Sequence, residues 1–169
     1  MVVLLILVAL IIAWIVYLKS SVAEKKEKTL ESFNSLDKLL QKRYKSVQFL
    51  IDFVKNSAEN LKPDAEYLEK LMSEAISLGT DEKNIDRRIA YDIELAKCTE
   101  KVLSVINENY ADGNDELKKV IDEYEELNIP IKIAEEKYNI DAEILRLAVD
   151  KFPSSFVARL IKVKYFDTI

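Results

Sequence analysis

The chain has 169 residues, of which only two are glycine and three are proline, while 33% are charged. So few turn-forming residues argue against sheets with tight turns and indicate an all-α protein. Histidine is absent, which excludes Ser-His-Asp and Cys-His nucleophiles and the Glu-x-x-His ligands of di-iron bundles. The net charge of −5 disfavours nucleic acid as a partner.

The first predicted element is a transmembrane helix over residues 1–18. Residues 2–18 form an unbroken apolar run, about 25 Å long as a helix, which is at the lower end of what spans a bilayer. Trp14 and Tyr17 lie at its end, where aromatic side chains meet lipid headgroups. Ser21-Val22-Ala23 would suit a signal peptidase, so a cleaved signal peptide is the alternative. The lack of a basic stretch before the run favours a retained anchor.

A basic juxtamembrane segment over residues 19–28 follows the anchor. It contains four lysines, whereas only the terminal methionine precedes the apolar run. Positively charged flanks remain on the cytoplasmic side of a membrane. We therefore expect a single-pass protein of the cell membrane, with its N-terminus outside and the bulk of the chain in the cytoplasm. Residues 1–18 would have the lipid bilayer as their partner.

The remaining residues, 29–169, are predicted to form an antiparallel four-helix-type bundle of long helices. Apolar residues three and four positions apart run from Phe33 to Leu61 and mark one face of a first helix. This helix can continue from the anchor with little or no linker. Lys62-Pro63 is predicted to end it, because proline is tolerated only in the first turn of the next helix.

Two further helices follow. The second is predicted over residues 64–78 and stops at Gly79. Thr80 is a suitable N-cap for the third, whose apolar positions reach Tyr110. Both helices are amphipathic, so each is expected to bury one face in the bundle.

The fourth helix begins after the clearest turn of the sequence, Asp112-Gly113-Asn114. Its apolar positions run from Leu117 to Phe152. Pro130 lies inside this pattern and is expected to kink or interrupt the helix, since proline removes a hydrogen bond and clashes with the preceding turn.

The last segment is short, apolar and basic. Pro153 biases Phe152 away from helical geometry, so the fourth helix should end there and Ser154 or Ser155 should cap a short helix. On a helix, Ser155, Arg159, Lys162 and Phe166 would fall on one line, which leaves a broad apolar face of Phe156, Val157, Leu160, Ile161 and Val163. This face either closes the end of the bundle or lies in a lipid headgroup layer.

No pattern in the sequence predicts a catalytic, cofactor or metal site. Cys98 lies among apolar residues and is interpreted as a buried structural thiol. The acidic runs at residues 122–126 and 135–136 lack matched carboxylates on a second helix, so they are interpreted as a solvated face.

Charged neighbours on the helices leave one enzymatic alternative open. Asp86 with Arg87 and Arg88, or Arg43 beside Asp37, could supply groups to a hydrolase that uses carboxylates alone. Ion pairs on exposed helix faces are the simpler explanation of the same residues, because they require no catalytic role.

Two stretches of the sequence resemble the LemA family. The first, ESFNSLDKLLQKRYKSVQFLIDFVKNSA over residues 31–58, is similar to the family's signature helix. Its matching positions are Leu36-Asp37, Leu40, Arg43-Tyr44, Val47, Leu50-Ile51, Val54-Lys55 and Ala58. The second stretch looks like the family's C-terminal motif, through Glu136, Tyr138-Asn139, Phe152-Pro153-Ser154-Ser155 and Ala158.

The resemblance implies a bundle behind a single membrane span, an external N-terminus and a cytoplasmic body, and it implies no assigned catalytic activity. We therefore expect a scaffolding or protein-interaction role, not an enzyme, with other membrane proteins or the chain itself as partners. The alternatives are the carboxylate hydrolase and a module that binds anionic lipid through the last segment. That segment belongs to residues 144–169, which carry five basic and two acidic side chains.

Overall fold

A computed structural model describes residues 1–110, 114–151 and 153–169. Six α-helices follow one another: α1 (Val2–Ser57), α2 (Lys62–Leu78), α3 (Ile85–Asn109), α4 (Asp115–Glu126), α5 (Asn128–Asp150) and α6 (Ser154–Leu160). Short 3-10 turns at Glu59–Leu61 and Glu82–Asn84 precede α2 and α3. The described residues contain no strand, which confirms the prediction of an all-α protein.

The first helix is continuous over 56 residues, so it continues from the apolar run without a linker. It ends at Ser57, before the predicted end at Lys62-Pro63, because a 3-10 turn at Glu59–Leu61 intervenes. It contains neither glycine nor proline, so nothing in its sequence interrupts the backbone hydrogen bonds. Its first part has a mean hydropathy of 2.8 in its most apolar window, and none of that window is buried. By length and composition, α1 is the one helix in the described residues that could cross a membrane.

Glycine and proline set the boundaries of α2, as predicted. Pro63 lies in the first turn, where its missing N–H costs no hydrogen bond. Gly79 follows the last turn with φ of 59° and ψ of −150°, a conformation that other residues rarely adopt. Its N–H donates to the carbonyl oxygen of Ile76, 3.1 Å away.

Two predicted helix caps are wrong. Thr80 does not cap α3, because the 3-10 turn at Glu82–Asn84 intervenes and the residue that precedes α3 is Asn84. Neither Ser154 nor Ser155 caps α6, since that helix begins at Ser154 and its N-cap residue is Pro153. Asn114 does cap α4, with its side-chain oxygen accepting from the N–H of Leu117 at 3.0 Å.

Pro130 interrupts the fourth predicted helix and divides it in two. The first part, α4, ends at Glu126, and α5 begins at Asn128 with Pro130 in its first turn. Proline is tolerated in that turn because the N–H groups there have no partner within the helix. The predicted turn residues Asp112 and Gly113, and the predicted helix end at Phe152, lie outside the described residues.

Residues 34–135 and 169 form one compact unit, in which consecutive helices run in opposite directions. Lys55 near the end of α1 pairs with Glu69 near the start of α2 (Nζ–Oε2 2.7 Å). Asp64 at the start of α2 pairs with Lys101 towards the end of α3 (Oδ1–Nζ 2.9 Å). The ring of Tyr124 on α4 lies against Arg43. These contacts confirm the predicted antiparallel four-helix-type bundle.

The core of this unit is mostly aliphatic, and Tyr44 and Tyr124 are buried in it. It includes Leu36, Leu40, Leu50, Ile51, Val54, Leu68, Leu95, Val102, Ile106, Leu117, Ile121 and Ile131. Burying one such side chain contributes about 1.5–3 kcal/mol to the free energy of unfolding, so the shared apolar stripe of the helices is what holds the unit together.

Residues 1–33 and 136–168 form a second compact unit. Within it, the ring of Phe33 on α1 lies 5.8 Å from that of Tyr138 on α5, measured between centroids. The hydroxyl of Thr29 donates to the carbonyl oxygen of Asp141 at 3.1 Å. The hydroxyl of Tyr138 donates to the carbonyl oxygen of Asp167 at 2.9 Å, which ties the C-terminal segment to α5.

The last helix is shorter than the apolar and basic pattern predicts. It ends at Leu160, and residues 161–169 are not helical, so Lys162 and Phe166 do not fall on one helical line with Ser155 and Arg159. Val157 is buried, whereas Phe156 remains exposed. The boundaries drawn from the sequence, 1–18, 19–28 and 29–169, stay predictions.

Candidate functional site

A buried arginine, Arg88, stands in the unit formed by residues 34–135 and 169, with only 2% of its surface exposed. Its Nη2 lies 2.8 Å from Oδ1 of Asp37 on α1, and its Nε lies 3.0 Å from Oδ2 of Asp92 on α3. Its Nη1 donates to the carbonyl oxygen of Ala75 on α2. Three helices therefore supply acceptors to one guanidinium, which offsets the cost of burying its charge.

Tyr44 completes this charge cluster, which consists of Asp37, Tyr44, Arg88 and Asp92. The Tyr44 hydroxyl donates to Oδ1 of Asp92, and the Arg88 guanidinium lies over the Tyr44 ring, 5.2 Å from Cζ to centroid. Both carboxylate oxygens of Asp92 thus accept a hydrogen bond from within the protein.

Burial raises the pKa of two groups in the charge cluster. It raises the pKa of Asp92, while the positive charge of Arg88 and the hydrogen bond from Tyr44 oppose the rise. Burial and the negative charge of Asp92 also raise the pKa of Tyr44. Tyr44 is therefore a neutral hydrogen-bond donor at physiological pH.

Some of the charged residues singled out in the sequence belong to this cluster. Arg88 and Asp37 pair with each other rather than with their neighbours in the chain. Asp86 and Arg87 are exposed on α3, away from it. Arg43 is buried on α1, but among the described residues it makes no ion pair with Asp37.

A cavity of about 200 Å³ opens beside the charge cluster, and all of its lining residues belong to the same unit. Its apolar wall comes from α1 and α3, through Leu36, Leu40, Ile89, Ile93 and Ala96, together with Ile169. Its polar side consists of Arg43, Asp92, Lys97, Glu100 and Glu135. The cavity therefore combines an apolar surface with charges of both signs, as small-molecule sites do.

Glu135, on the early part of α5, is a partly buried carboxyl in this cavity. Burial raises its pKa, and the positive charge of Arg43 opposes that rise. The nearby Asp92 carboxylate raises it further. Sequence patterns did not indicate Glu135 as a cavity residue, because it is followed by a second acidic residue, Glu136, and the two together were interpreted as part of a solvated helix face.

Cys98 lies half-buried on α3 and packs against the core rather than within it. It is therefore less buried than the sequence predicts. Burial nevertheless raises the pKa of its thiol. A thiol that stays protonated at neutral pH is a poor nucleophile, which fits a structural residue.

An exposed apolar line runs along α5 in the other unit, formed by residues 1–33 and 136–168. It consists of Ile140, Ile144 and Leu147, which are 61%, 43% and 40% exposed. An acidic flank of Glu136, Glu143 and Asp150, spaced by seven residues, lies beside it. Because residues three, four and seven apart share one face of a helix, the line and its flank form one surface, the α5 line.

The family model described as the LemA family matches residues 32–168. This match covers most of the chain. The chain belongs to the LemA family. No curated protein and no solved structure matches it.

The LemA-family match includes all of the charge cluster, Arg43, Glu135 and the α5 line. The apolar run at residues 2–18 precedes the matched residues. The candidate site therefore lies in the part of the chain that defines LemA-family membership, although membership itself assigns no chemistry to it.

Proposed function

We propose that this LemA-family protein is a single-pass membrane protein whose helical body binds a partner protein without catalysing a reaction. Support for the anchor comes from residues 2–18, whose apolar side chains cover the start of α1 and are mostly exposed. Exposing so large an apolar surface to water is unfavourable, and a bilayer would cover it.

In this proposal the N-terminus lies outside and the helical body in the cytoplasm. The lysines at residues 19, 25, 26 and 28 support that orientation. It is tested with Glu108→Cys, an exposed position on α3, in a chain whose own thiol is removed by Cys98→Ala. A membrane-impermeant maleimide should label it only after the cells are permeabilised. Labelling in intact cells would reverse the orientation.

The observation that carries the interaction role is the α5 line. Three exposed aliphatic side chains on one face of α5 form a surface that a second amphipathic helix can cover, as helices do in grooves and coiled coils. The seven-residue spacing between Ile140 and Leu147 matches the repeat that such a helix would present.

The acidic flank of the α5 line determines which partner fits. If two copies of this helix packed antiparallel, Glu136, Glu143 and Asp150 would face the same acidic residues of the second copy. On the opposite flank, Asp141 is already paired with Lys137 (Oδ2–Nζ 3.3 Å). Like charges across a helix pair are unfavourable, whereas opposite charges select the partner. We infer a partner protein with an apolar helical face flanked by lysine or arginine.

The test measures the binding of two synthetic helices of about four heptads to the full chain in lipid nanodiscs. Both helices carry leucine along one face, one with lysine and the other with glutamate on its flanks. The lysine-flanked helix should bind and the glutamate-flanked helix should not. Ile140→Glu should weaken the binding at least about tenfold, since it places a charge in the centre of the contact.

Ile76→Glu is the matched control, because Ile76 is an isoleucine of similar exposure on α2, in the other unit. It should leave the binding unchanged. Equal binding of both helices, or self-association of the full chain that Ile140→Glu abolishes, would contradict the inferred partner.

Hydrogen bonding in the charge cluster supports a non-catalytic role. Asp92 and Glu135 line one cavity and both have a raised pKa, which is a feature of acid–base sites. Asp92, however, already accepts hydrogen bonds from Tyr44 and Arg88 through its two oxygens. It is therefore engaged as an acceptor within the fold, which favours binding over proton transfer.

A second candidate function, contact with an anionic lipid surface, is supported by α6. Phe156 and Leu160 are 58% and 62% exposed there, close to the basic side chain of Arg159. The test replaces Phe156 by tryptophan in a Trp14→Phe chain. Its fluorescence should shift to shorter wavelength in nanodiscs with anionic lipid but not in zwitterionic ones. An unchanged spectrum would remove this candidate.

A further inference from the structure

A second cavity, the α2–α3 groove, has a volume of about 270 Å³ and lies within the unit formed by residues 34–135 and 169. Its lining residues are Tyr67, Leu71, Arg87, Ala90, Tyr91 and Glu94. None of them belongs to the charge cluster or lines the cavity beside it. The groove combines two tyrosine rings, a small apolar surface and one charged side chain of each sign.

The two tyrosines of the groove come from different helices. Tyr67 lies on α2 and is 45% exposed, whereas Tyr91 lies on α3 and is partly buried against the core. Among the described residues, neither ring makes an aromatic or cation–π contact with another side chain. Both rings are therefore free to contact a ligand in the groove.

The two charged residues of the groove lie on one face of α3, on either side of Tyr91. Arg87 precedes Tyr91 by four residues and Glu94 follows it by three. The two charges are thus about 10.5 Å apart along the helix axis, farther than the residues that form ion pairs on a helix. Neither forms an ion pair with another described residue. The groove therefore holds a cation and an anion apart, with aromatic and apolar surface between them.

This arrangement is complementary to a ligand that carries both charges. Arg87 can bind a carboxylate or a phosphodiester through its paired N–H donors. At the other end, the carboxylate of Glu94 and the rings of Tyr67 and Tyr91 attract a cation. A primary ammonium has three N–H donors that need acceptors, whereas a quaternary ammonium has none and is recognised by aromatic rings. The tyrosines and the apolar side chain of Leu71 therefore favour the quaternary ion.

The volume of the α2–α3 groove limits the ligand to a small molecule. At about 270 Å³ it lies just below the range of ~300–1,000 Å³ that is typical of sites for drug-sized ligands. It equals the liquid volume of about nine water molecules. A quaternary ammonium, a short linker and one anionic group are of this size.

We propose that the α2–α3 groove binds a small zwitterion in which a short aliphatic linker joins a quaternary ammonium to a singly charged anion. The ammonium lies against Tyr67, Tyr91 and Glu94, and the anion pairs with Arg87. A free betaine and the headgroup of a choline lipid share this chemistry. The site is distinct from the α5 line and does not depend on the partner proposed for it. Neither a covalent step nor a cofactor is involved.

The probe is γ-butyrobetaine, which joins a trimethylammonium group to a carboxylate. Its binding to the full chain in nanodiscs of phosphatidylglycerol, a lipid without choline, is followed by the ¹H NMR signal of the methyl groups. Nanodiscs without protein correct for contact with lipid. The probe should bind saturably. Two analogues, γ-aminobutyrate with a primary ammonium and butyltrimethylammonium without a carboxylate, should each bind at least about threefold more weakly.

A second set of nanodiscs, in which phosphatidylcholine replaces half of the phosphatidylglycerol, distinguishes the two sources of the ligand. If the lipid headgroup occupies the groove, the probe should bind more weakly in these nanodiscs. If a free betaine is the ligand, the affinity should not change, because the probe has no net charge and responds little to the surface charge of the lipid. Both results support the proposed chemistry, and each identifies one source.

Two substitutions assign the site. Tyr67→Leu removes one ring and should weaken binding of the probe at least about threefold. Tyr165→Leu is the matched control, because Tyr165 is 46% exposed and lies in the other unit, and it should have no effect. Arg87→Gln should weaken binding of γ-butyrobetaine but not of butyltrimethylammonium, which has no anion to pair with the guanidinium. Both substituted positions are exposed, so the fold should be retained.

Three results would overturn the proposal. The absence of saturable binding in nanodiscs of phosphatidylglycerol would remove the site. Binding of γ-aminobutyrate that is as tight as that of γ-butyrobetaine would show that the quaternary ammonium is not recognised. Binding that is unchanged in both Tyr67→Leu and Arg87→Gln would place the ligand elsewhere.

Discussion

The phenol of Tyr44 and the carboxylate of Asp92, 48 positions apart in the sequence, share a hydrogen bond inside the bundle. The bond connects α1 to α3 and leaves neither polar group unpaired. Both residues belong to the charge cluster.

Tyr44→Phe removes the hydroxyl and leaves Oδ1 of Asp92 without its donor. We expect the free energy of unfolding to fall by about 1–3 kcal/mol, the cost of an unsatisfied buried acceptor. Urea unfolding, followed by circular dichroism, measures the change. Tyr67→Phe, at an exposed position of α2, is the control and should change little. Equal effects of the two variants would show that the hydrogen bond contributes nothing specific.

Asp37→Ala leaves the buried Arg88 with one carboxylate fewer. Removing one member of a buried ion pair costs about 3–5 kcal/mol, because the remaining charge stays in the interior. The exposed pair of Lys101 and Asp64 provides the comparison. Asp64→Ala should cost less than about 1 kcal/mol. The urea midpoints of the two variants, measured side by side, test this. A loss of stability in Asp37→Ala as small as that in Asp64→Ala would show that burial does not strengthen the ion pair with Arg88.

Glu135 should give stability a pH dependence. Its pKa in the folded state is raised above the ordinary value of 4.5, chiefly by burial. The folded state then binds the proton more tightly than the unfolded chain, so the contribution of Glu135 to stability is fully present below pH 4.5 and is lost as pH rises through the raised pKa. Glu135→Gln should flatten this part of the curve. Glu136→Gln, at the exposed neighbour, should not, and urea midpoints at a series of pH values compare the two.

Gly79→Ala should destabilise the protein although there is room for a methyl group. A Cβ at this position would meet no atom within 4 Å. The backbone conformation, with φ of 59° and ψ of −150°, costs a residue with a side chain about 1–3 kcal/mol. Lys70→Ala, exposed on the same helix, is the control for thermal unfolding. An unchanged melting temperature in Gly79→Ala would mean that the turn relaxes to another conformation.

Helix periodicity predicted most of the fold, because each helix buries one apolar face and its spacing is visible in the sequence. Pro63, Gly79 and Pro130 indicated helix boundaries correctly, because the backbone conformation of these residue types is also decided locally. The caps at Thr80 and Ser154 were wrong because alternative local structure decides such positions. A 3-10 turn displaces the start of α3, and α6 begins one residue earlier than a serine cap allows.

The charge cluster could not be assembled from sequence neighbours, since Arg88 and Asp37 are 51 positions apart. The sequence of α3 nevertheless contains one indication of the charge cluster. Arg88 and Asp92 stand one turn apart beside the buried Ile85 and Ile89, on the face of α3 that packs inward. Charged residues at core-facing positions indicate buried partners, although not which ones.

The distribution of the acceptors around Arg88 has a consequence for how the protein folds. Aspartates from α1 and α3 and a carbonyl from α2 must all be in place before its donors are satisfied. A partly assembled unit with any one of these helices undocked would hold a desolvated cation without enough acceptors, which raises its free energy. Intermediates are thereby disfavoured, and the three helices should form and melt as one cooperative unit in hydrogen exchange, rather than turn by turn.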